Sequence, residues 1–353
     1  MTEEAPKPHK RRVRYSGTHP RRFEQKYKEL DPAKYADQIE HIIAKGLTPA
    51  GTHRPICVDE ILQILSPKPG ETIFDATLGY GGHARKILPK LLPGGRYFAV
   101  DVDTVELPKT EARLRAEGYG PDVLTIRKMN YAGILGLLGE AGGGFDCVLA
   151  DLGVSSMQLD NPERGFTYKA DGPLDLRLNP ERGQPASEFL KTVTADKLKA
   201  LFEENSDEPH ALMAARAIKE AVLPIKTTSD LAKAVRAGLA KASPKPGEED
   251  IKKTLQRVFQ ALRIEVNGEF SALDRFLEAL PWAVKPGGRI AVLTFHSGED
   301  RRVKKAFFRG EEQGLYSSVA QTPSRPSAAE RRSNPRSSSA KLRWAVRSAK
   351  PAF

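Results

Sequence analysis

Three acids, Asp75, Asp101 and Asp151, each close a short apolar run, and the first opens the glycine-rich stretch Asp75-Ala-Thr-Leu-Gly79-Tyr-Gly81-Gly82-His83. Between a strand and a helix, such a stretch lets the backbone approach a ligand, because glycine has no Cβ and a helix start offers unpaired N–H donors. Asp101 at the end of the next strand is placed to accept hydrogen bonds from two ribose hydroxyls. These features point to a nucleoside-bearing cofactor. Taken alone, the loop leaves two other readings open. One is a tight structural turn, and the other is a dinucleotide-dependent oxidoreductase, since Gly79-x-Gly81-x-x-Ala84 satisfies that fingerprint. Asp75 tips the balance. A carboxylate at the loop entrance repels a pyrophosphate, whereas S-adenosylmethionine has no phosphate and carries an amino group and a sulfonium.

A second constellation follows the fourth apolar run: Asp151-Leu-Gly-Val-Ser155-Ser156-Met-Gln158-Leu-Asp160, then Glu163-Arg164-Gly165-Phe166 and Asp171-Gly172-Pro173-Leu174-Asp175-Leu-Arg177. Packing alone does not call for so many glycines and polar residues. An acid at this sheet position suits methyl transfer to an exocyclic amine. Such an amine shares its lone pair with the ring, and an acceptor on its N–H favours a geometry that aims the lone pair at the methyl group. Asp151 is the candidate catalytic residue. Ser155 and Ser156 have no histidine nearby in sequence, which argues against a serine nucleophile. Phe166 and Tyr168 are candidates to stack on a flipped base. His83 and His296 are candidate bases, and His296 reads equally as a structural residue. Gln260, Arg263, Glu265 and Asn267 share a helix, forming either a buried polar network or an RNA-facing site. Arg331, Arg332, Arg336, Lys341 and Arg343 are candidate phosphate contacts.

The elements that must position these groups alternate. Strands are expected at Thr72–Phe74, Tyr97–Val100, Val123–Ile126, Cys147–Ala150 and Arg289–Phe295. Helices are expected at Val58–Leu65, His83–Leu91 and, after the last strand, as far as Phe308. This implies an α/β fold with a parallel sheet covered on both faces. Between Gln184 and Leu239 the strands stop and helical periodicity takes over, implying a second, smaller domain. A single amphipathic helix is expected from Leu255 to Leu280. The chain divides into a basic extension at 1–50, with a flexible arm at 1–28 and a helix over Asp31–Lys45. A methyltransferase part follows at 51–158, an inserted helical substrate-recognition domain at 159–250, and a second methyltransferase part with a basic tail at 251–353.

The net charge of +11 is carried by the ends of the chain: residues 301–353 have ten excess positive charges and residues 1–50 have four, while the middle is slightly acidic. That distribution fits a polyanionic partner. The two cysteines, Cys57 and Cys147, lie far apart in apolar stretches, which implies buried thiols, a reducing compartment and no metal-ligand spacing. No apolar run approaches a membrane span, so a cytoplasmic protein without a membrane partner is expected, and a homodimer is compatible with the sequence.

From His53 onward the sequence closely resembles the RsmH (MraW) methyltransferases, which modify N4 of a cytidine in the decoding region of 16S ribosomal RNA. The matching motifs include His53-Arg-Pro55, Asp75–His83, Asp151-Leu-Gly-Val-Ser-Ser156, Gln158-Leu-Asp160, Arg164-Gly-Phe166 and Asp171–Asp175. They continue with Phe259-Gln-Ala-Leu-Arg-Ile-Glu-Val-Asn267, Phe295-His-Ser297, Asn334-Pro-Arg336 and Ser339–Arg343. The resemblance implies a class I S-adenosylmethionine-dependent methyltransferase (Rossmann-like) sheet with an inserted helical domain, acting on small-subunit rRNA or the assembled 30S particle. It places Gly81, Gly82 and His83 at the methionine end of the cofactor, Asp101 on the ribose and Tyr131 beside the adenine, where the family usually has phenylalanine. Asp151 and Gln158 complete the pocket. No metal is implied. Met157, Ile251-Lys-Lys-Thr254, Asn205–Pro209 and Gly298 depart from the family's usual residues. A non-catalytic ribosome-assembly factor that retains the cofactor fold is the remaining alternative.

Overall fold

The structure is a computed structural model describing residues 55–349. The expected basic extension at 1–50, its helix, and His53 and Arg54 lie outside the described residues. Seven strands form one sheet: β1 (Thr72–Asp75), β2 (Arg96–Asp101), β3 (Leu124–Lys128), β4 (Phe145–Asp151), β5 (Val284–Thr294), β6 (Tyr316–Val319) and β7 (Lys341–Arg347). Their order is β3-β2-β1-β4-β5-β7-β6. The first five run parallel, and β7 lies antiparallel to both β5 and β6. This is the α/β sheet of class I methyltransferases.

Side-chain alternation along the strands builds a core on each face. Phe74, Phe98, Val148 and Ile290 join one apolar cluster, and their neighbours Ile73, Tyr97, Cys147 and Ala291 join another. Burial on both sides explains why these strands read as unbroken apolar runs. Both cysteines are free and buried. No helix among the described residues is long and apolar enough to cross a membrane.

A third cluster belongs to helices. Ala186–Thr192, Ala195–Ser206, Ala211–Lys219 and Thr228–Leu239 pack with Glu248–Asn267 around Leu198, Phe202, Leu231, Val258 and Leu262. The cluster does not stop at residue 250, because the helix that begins at Glu248 supplies one of its walls. The single helix expected from Leu255 to Leu280 is two helices, Glu248–Asn267 and Glu269–Ala283, broken at Gly268 with φ of +60°. That left-handed conformation is open to glycine and ends the first helix. Strands β6 and β7 were not expected. Lys341-Leu-Arg-Trp-Ala-Val-Arg347 carries three basic residues among its apolar ones, and these masked a strand that pairs with β5 over six of its seven residues.

Candidate active site

The carboxyl ends of β1, β2 and β4 converge, since Asp75 pairs in register with Ala99 and Leu149. Asp75 itself faces inward. It is 1% exposed and accepts hydrogen bonds from the Tyr97 hydroxyl (2.7 Å) and the Thr77 N–H (3.0 Å). Burial pushes its carboxyl up to about 6, against the lowering effect of those two bonds. Asp75 therefore shapes the loop from within, where the sequence had suggested a charge at the entrance. Gly79 and Gly81 take φ of +49° and +74°. A Cβ on Gly81 would lie 3.2 Å from Thr110 Cγ2, so this turn is both left-handed and tightly packed. The loop then feeds the helix Ala84–Leu91, with His83 at its start.

Asp101 ties the first two strand ends together. Its Oδ2 accepts the Gly79 N–H at 2.8 Å and its Oδ1 accepts the Asp103 N–H at 2.9 Å. Burial raises its carboxyl above the ordinary range. Asp103, which the sequence reading had not singled out, is the hub of the next layer. Its Oδ1 accepts the N–H groups of Val105 and Glu106, and its Oδ2 accepts from Gln158 Nε2 (2.6 Å) and Arg164 Nη1 (3.0 Å). Gln158 is thereby held next to the Asp101 strand end, and its Oε1 accepts the Ser155 N–H while Ser155 caps the helix Ser156–Asp160. Both ends of the Gln158 side chain are engaged within the protein.

Asp151 closes β4, and its backbone N–H donates to Thr77 Oγ1 at 2.7 Å. Its Oδ2 stands 3.4 Å from His83 Nε2. That nitrogen and Asp151 Oδ1 are both buried without a hydrogen-bond partner. Buried polar atoms are rarely left so. An orphaned imidazole nitrogen at the start of a helix fits the methionine end of S-adenosylmethionine, since His83 with the helix N–H groups suits its carboxylate, and the neighbouring Asp151 Oδ1 is left open to an N–H donor. Tyr131 opens a 3₁₀ turn capped by Asn130 and packs edge-on to Phe276 with 5.1 Å between ring centroids. Burial, with Glu269 and Glu299 nearby, raises its hydroxyl above the ordinary range.

Several other candidates have structural partners instead. Phe166 is 6% exposed within the helical cluster and lies under Arg164, so it is not free to stack on a base. Tyr168 packs on Phe259. Asn267 accepts the Leu178 N–H and donates to Leu176 O and Arg263 O, and Arg263 grips Glu269 through two bonds of 2.8 Å. Asn267 thus clamps the loop through Leu176 and Leu178, while Gln260 donates to Asn205 O. Arg343, expected on phosphates, is 4% exposed and donates to Asp300, as does Lys341. Arg336 pairs with Asp160. Arg331 and Arg332 remain exposed.

Residues 50–348 match the family model described as the MraW methylase family. The chain is 54% identical to "Ribosomal RNA small subunit methyltransferase H 1" of Agathobacter rectalis over 98% of this chain and 99% of that one. It is 52% identical to the protein of that name from Lachnoclostridium phytofermentans, over 98% and 95%. It is 38% identical to "Ribosomal RNA small subunit methyltransferase H" of Rubrobacter xylanophilus, over 86% of this chain and 98% of that one. The family model's match begins at residue 50, whereas the first two relatives align over 98% of this chain and so take in most of the segment at 1–50.

Proposed function

Since the chain belongs to the MraW methylase family, we propose that it transfers a methyl group from S-adenosylmethionine to the N4 amino group of a cytidine in the decoding region of small-subunit rRNA. The observation that carries this reading is the unpartnered Asp151 Oδ1 at the end of β4, beside the glycine loop and His83. S-adenosylmethionine supplies an electrophilic methyl group on a sulfonium. Gly81, Gly82, His83, Asp101, Tyr131 and Gln158 hold and frame it, and Asp151 stands where the cofactor site meets the acceptor.

Base pairing and stacking bury an exocyclic amine, so the cytidine must leave its stack before the amine is reachable. Asp151 accepts one N–H of the amine and turns its lone pair toward the methyl group. In-line placement then lowers the barrier, since holding two reactants in line replaces a bimolecular encounter. The helical region at 159–250, with the wall supplied by Glu248–Asn267, forms the far side of the rRNA cleft, and the exposed Arg331 and Arg332 meet phosphates. The test is mass mapping of small-subunit rRNA from cells lacking the protein. Loss of one methyl group from a decoding-region cytidine supports the reading. An unchanged methylation map contradicts it and favours a non-catalytic assembly factor.

A further inference from the structure

A second polar group lies at the top of β5, outside the contacts assigned above to the cofactor. It consists of Arg263, Glu269, His296 and Glu299, with Tyr131 close enough to feel both carboxylates. One ligating atom from each of Glu269, His296 and Glu299 lies within 4.8 Å of the others. Glu299 is pinned by the Phe295 N–H, which donates to its Oε2 at 2.8 Å, while its Oε1 stands 3.2 Å from His296 Nε2. Both imidazole nitrogens are buried, and Nδ1 has no partner among the described residues. Phe270 flanks the imidazole with 5.8 Å between ring centroids, and the Arg302 guanidinium lies over the Phe270 ring at 4.0 Å from its centroid.

This group adjoins the reacting end of β4. Asp151 is in register with Leu293, the Leu152 N–H donates to Leu293 O at 3.0 Å, and a Cβ on Gly153 would lie 3.5 Å from the Phe295 ring. His296 follows directly, at the start of the helix Ser297–Glu312. A carboxylate beside Nε2 favours the tautomer with the proton there, leaving the lone pair on Nδ1. Gly298 lies against that edge, where a Cβ would stand 2.6 Å from Phe270 Cζ and 3.3 Å from Nδ1, so a larger residue there would press on both rings.

We propose that His296, oriented by Glu299, is the second acceptor for the substrate amine and takes the proton that the amine loses. The inference rests on the amine reading above. With Asp151 on one N–H and His296 on the other, both hydrogens are directed away from the methyl group and the lone pair faces it. The nitrogen lone pair forms the new N–C bond, the S–C bond breaks with its electron pair on sulfur, and one N–H proton passes to His296 Nδ1 and then to water. A cation at this cluster is disfavoured, because Arg263 already occupies both oxygens of Glu269. The charged and titratable groups around His296 are Glu299 and Arg302 on the helix it starts, Glu269 and Arg263 on the two preceding helices, and Tyr131 on the 3₁₀ turn. Burial pushes the Glu299 carboxyl up, yet His296, the Phe295 N–H and Arg263 together hold it below the ordinary range, so it stays ionised beside the imidazole.

The experiment uses the full chain, small-subunit particles lacking the modification, and single-turnover methyl transfer across pH. His296→Gln is expected to slow transfer about 10²-fold, near the lower end of general-base effects because the amine proton acidifies as the bond forms. It is also expected to remove the acid limb of the wild-type profile while leaving the affinity for S-adenosylhomocysteine unchanged. Imidazole in the buffer is expected to restore part of the rate of His296→Ala. A His296→Gln rate within about threefold of wild type, with the same pH profile, overturns the proposal. So does activity that is lost to a chelator and restored by Zn²⁺ or Mn²⁺. If the wild type makes no N4-methylcytidine, the amine reading itself fails. If it does and His296→Gln is unimpaired, only the proton-acceptor role fails.

Discussion

Replacing Asp103 by Asn tests whether one buried carboxylate joins the two halves of the site. Asp103 is 2% exposed and accepts four hydrogen bonds, two from the backbone N–H groups of Val105 and Glu106 just before the helix Leu107–Ala116 and two from Gln158 and Arg164. An asparagine oxygen can still serve the backbone donors. Its amide NH₂ then faces two donors, and the buried Arg164 keeps only its bonds to Arg177 O and Leu178 O. Removing one member of a buried charge pair destabilises by about 3–5 kcal/mol, mostly because the other charge is left without compensation. The surviving carbonyl contacts place this variant near the lower figure, about 3 kcal/mol. Denaturant unfolding of the wild type, Asp103→Asn and Asp103→Asn/Arg164→Met gives the magnitude. The double variant should recover part of the loss, since it also removes the orphaned charge. Titration with S-adenosylhomocysteine should show weaker binding in the single variant, because Gln158 and the Asp101 strand end lose their shared anchor. A single variant within about 0.5 kcal/mol of wild type and with unchanged binding would refute this reasoning.

Asp151→Asn removes a charged acceptor from the amine, an interaction of about 1.5–3 kcal/mol, so steady-state kinetics should show kcat lowered roughly 10- to 150-fold; an unchanged kcat contradicts its role. Asp75, raised from 3.8 to about 6 by burial, holds its proton in the folded state while the unfolded chain has released it. Its contribution therefore favours the fold below about pH 4 and is lost as pH rises through about 6. Unfolding midpoints from pH 4 to 7 should fall less steeply with rising pH for Asp75→Asn than for wild type. Arg343→Ala should lower the melting temperature, because Asp300 keeps only Lys341. Arg332→Ala should leave melting unchanged, weaken rRNA binding and reduce its salt slope by about 1.

The glycine loop and the strand ends around it were legible because their signals are local. Glycines at positive φ, acids at strand ends and the helix after His83 lie within one stretch of chain, and the apolar runs of β1, β2 and β4 announce a sheet buried on both faces. What was missed depends on partners distant in sequence. Arg343 reads as a phosphate contact until Asp300, on a helix before it, takes its guanidinium. Phe166 reads as a stacking ring until the helical cluster encloses it. Asp103 shows its importance only through Gln158 and Arg164, contributed by the segment after β4. The break at Gly268 was hidden because apolar periodicity continues on both sides of it, and only the left-handed φ separates the two helices.

The most direct measurement incubates the purified protein with methyl-labelled S-adenosylmethionine and small-subunit particles from cells lacking it, then locates the label by nuclease digestion and mass spectrometry. One labelled methyl group is expected, on N4 of a decoding-region cytidine, with little label from Asp151→Asn. Label on a ring carbon or a ribose, or none at all, would contradict it.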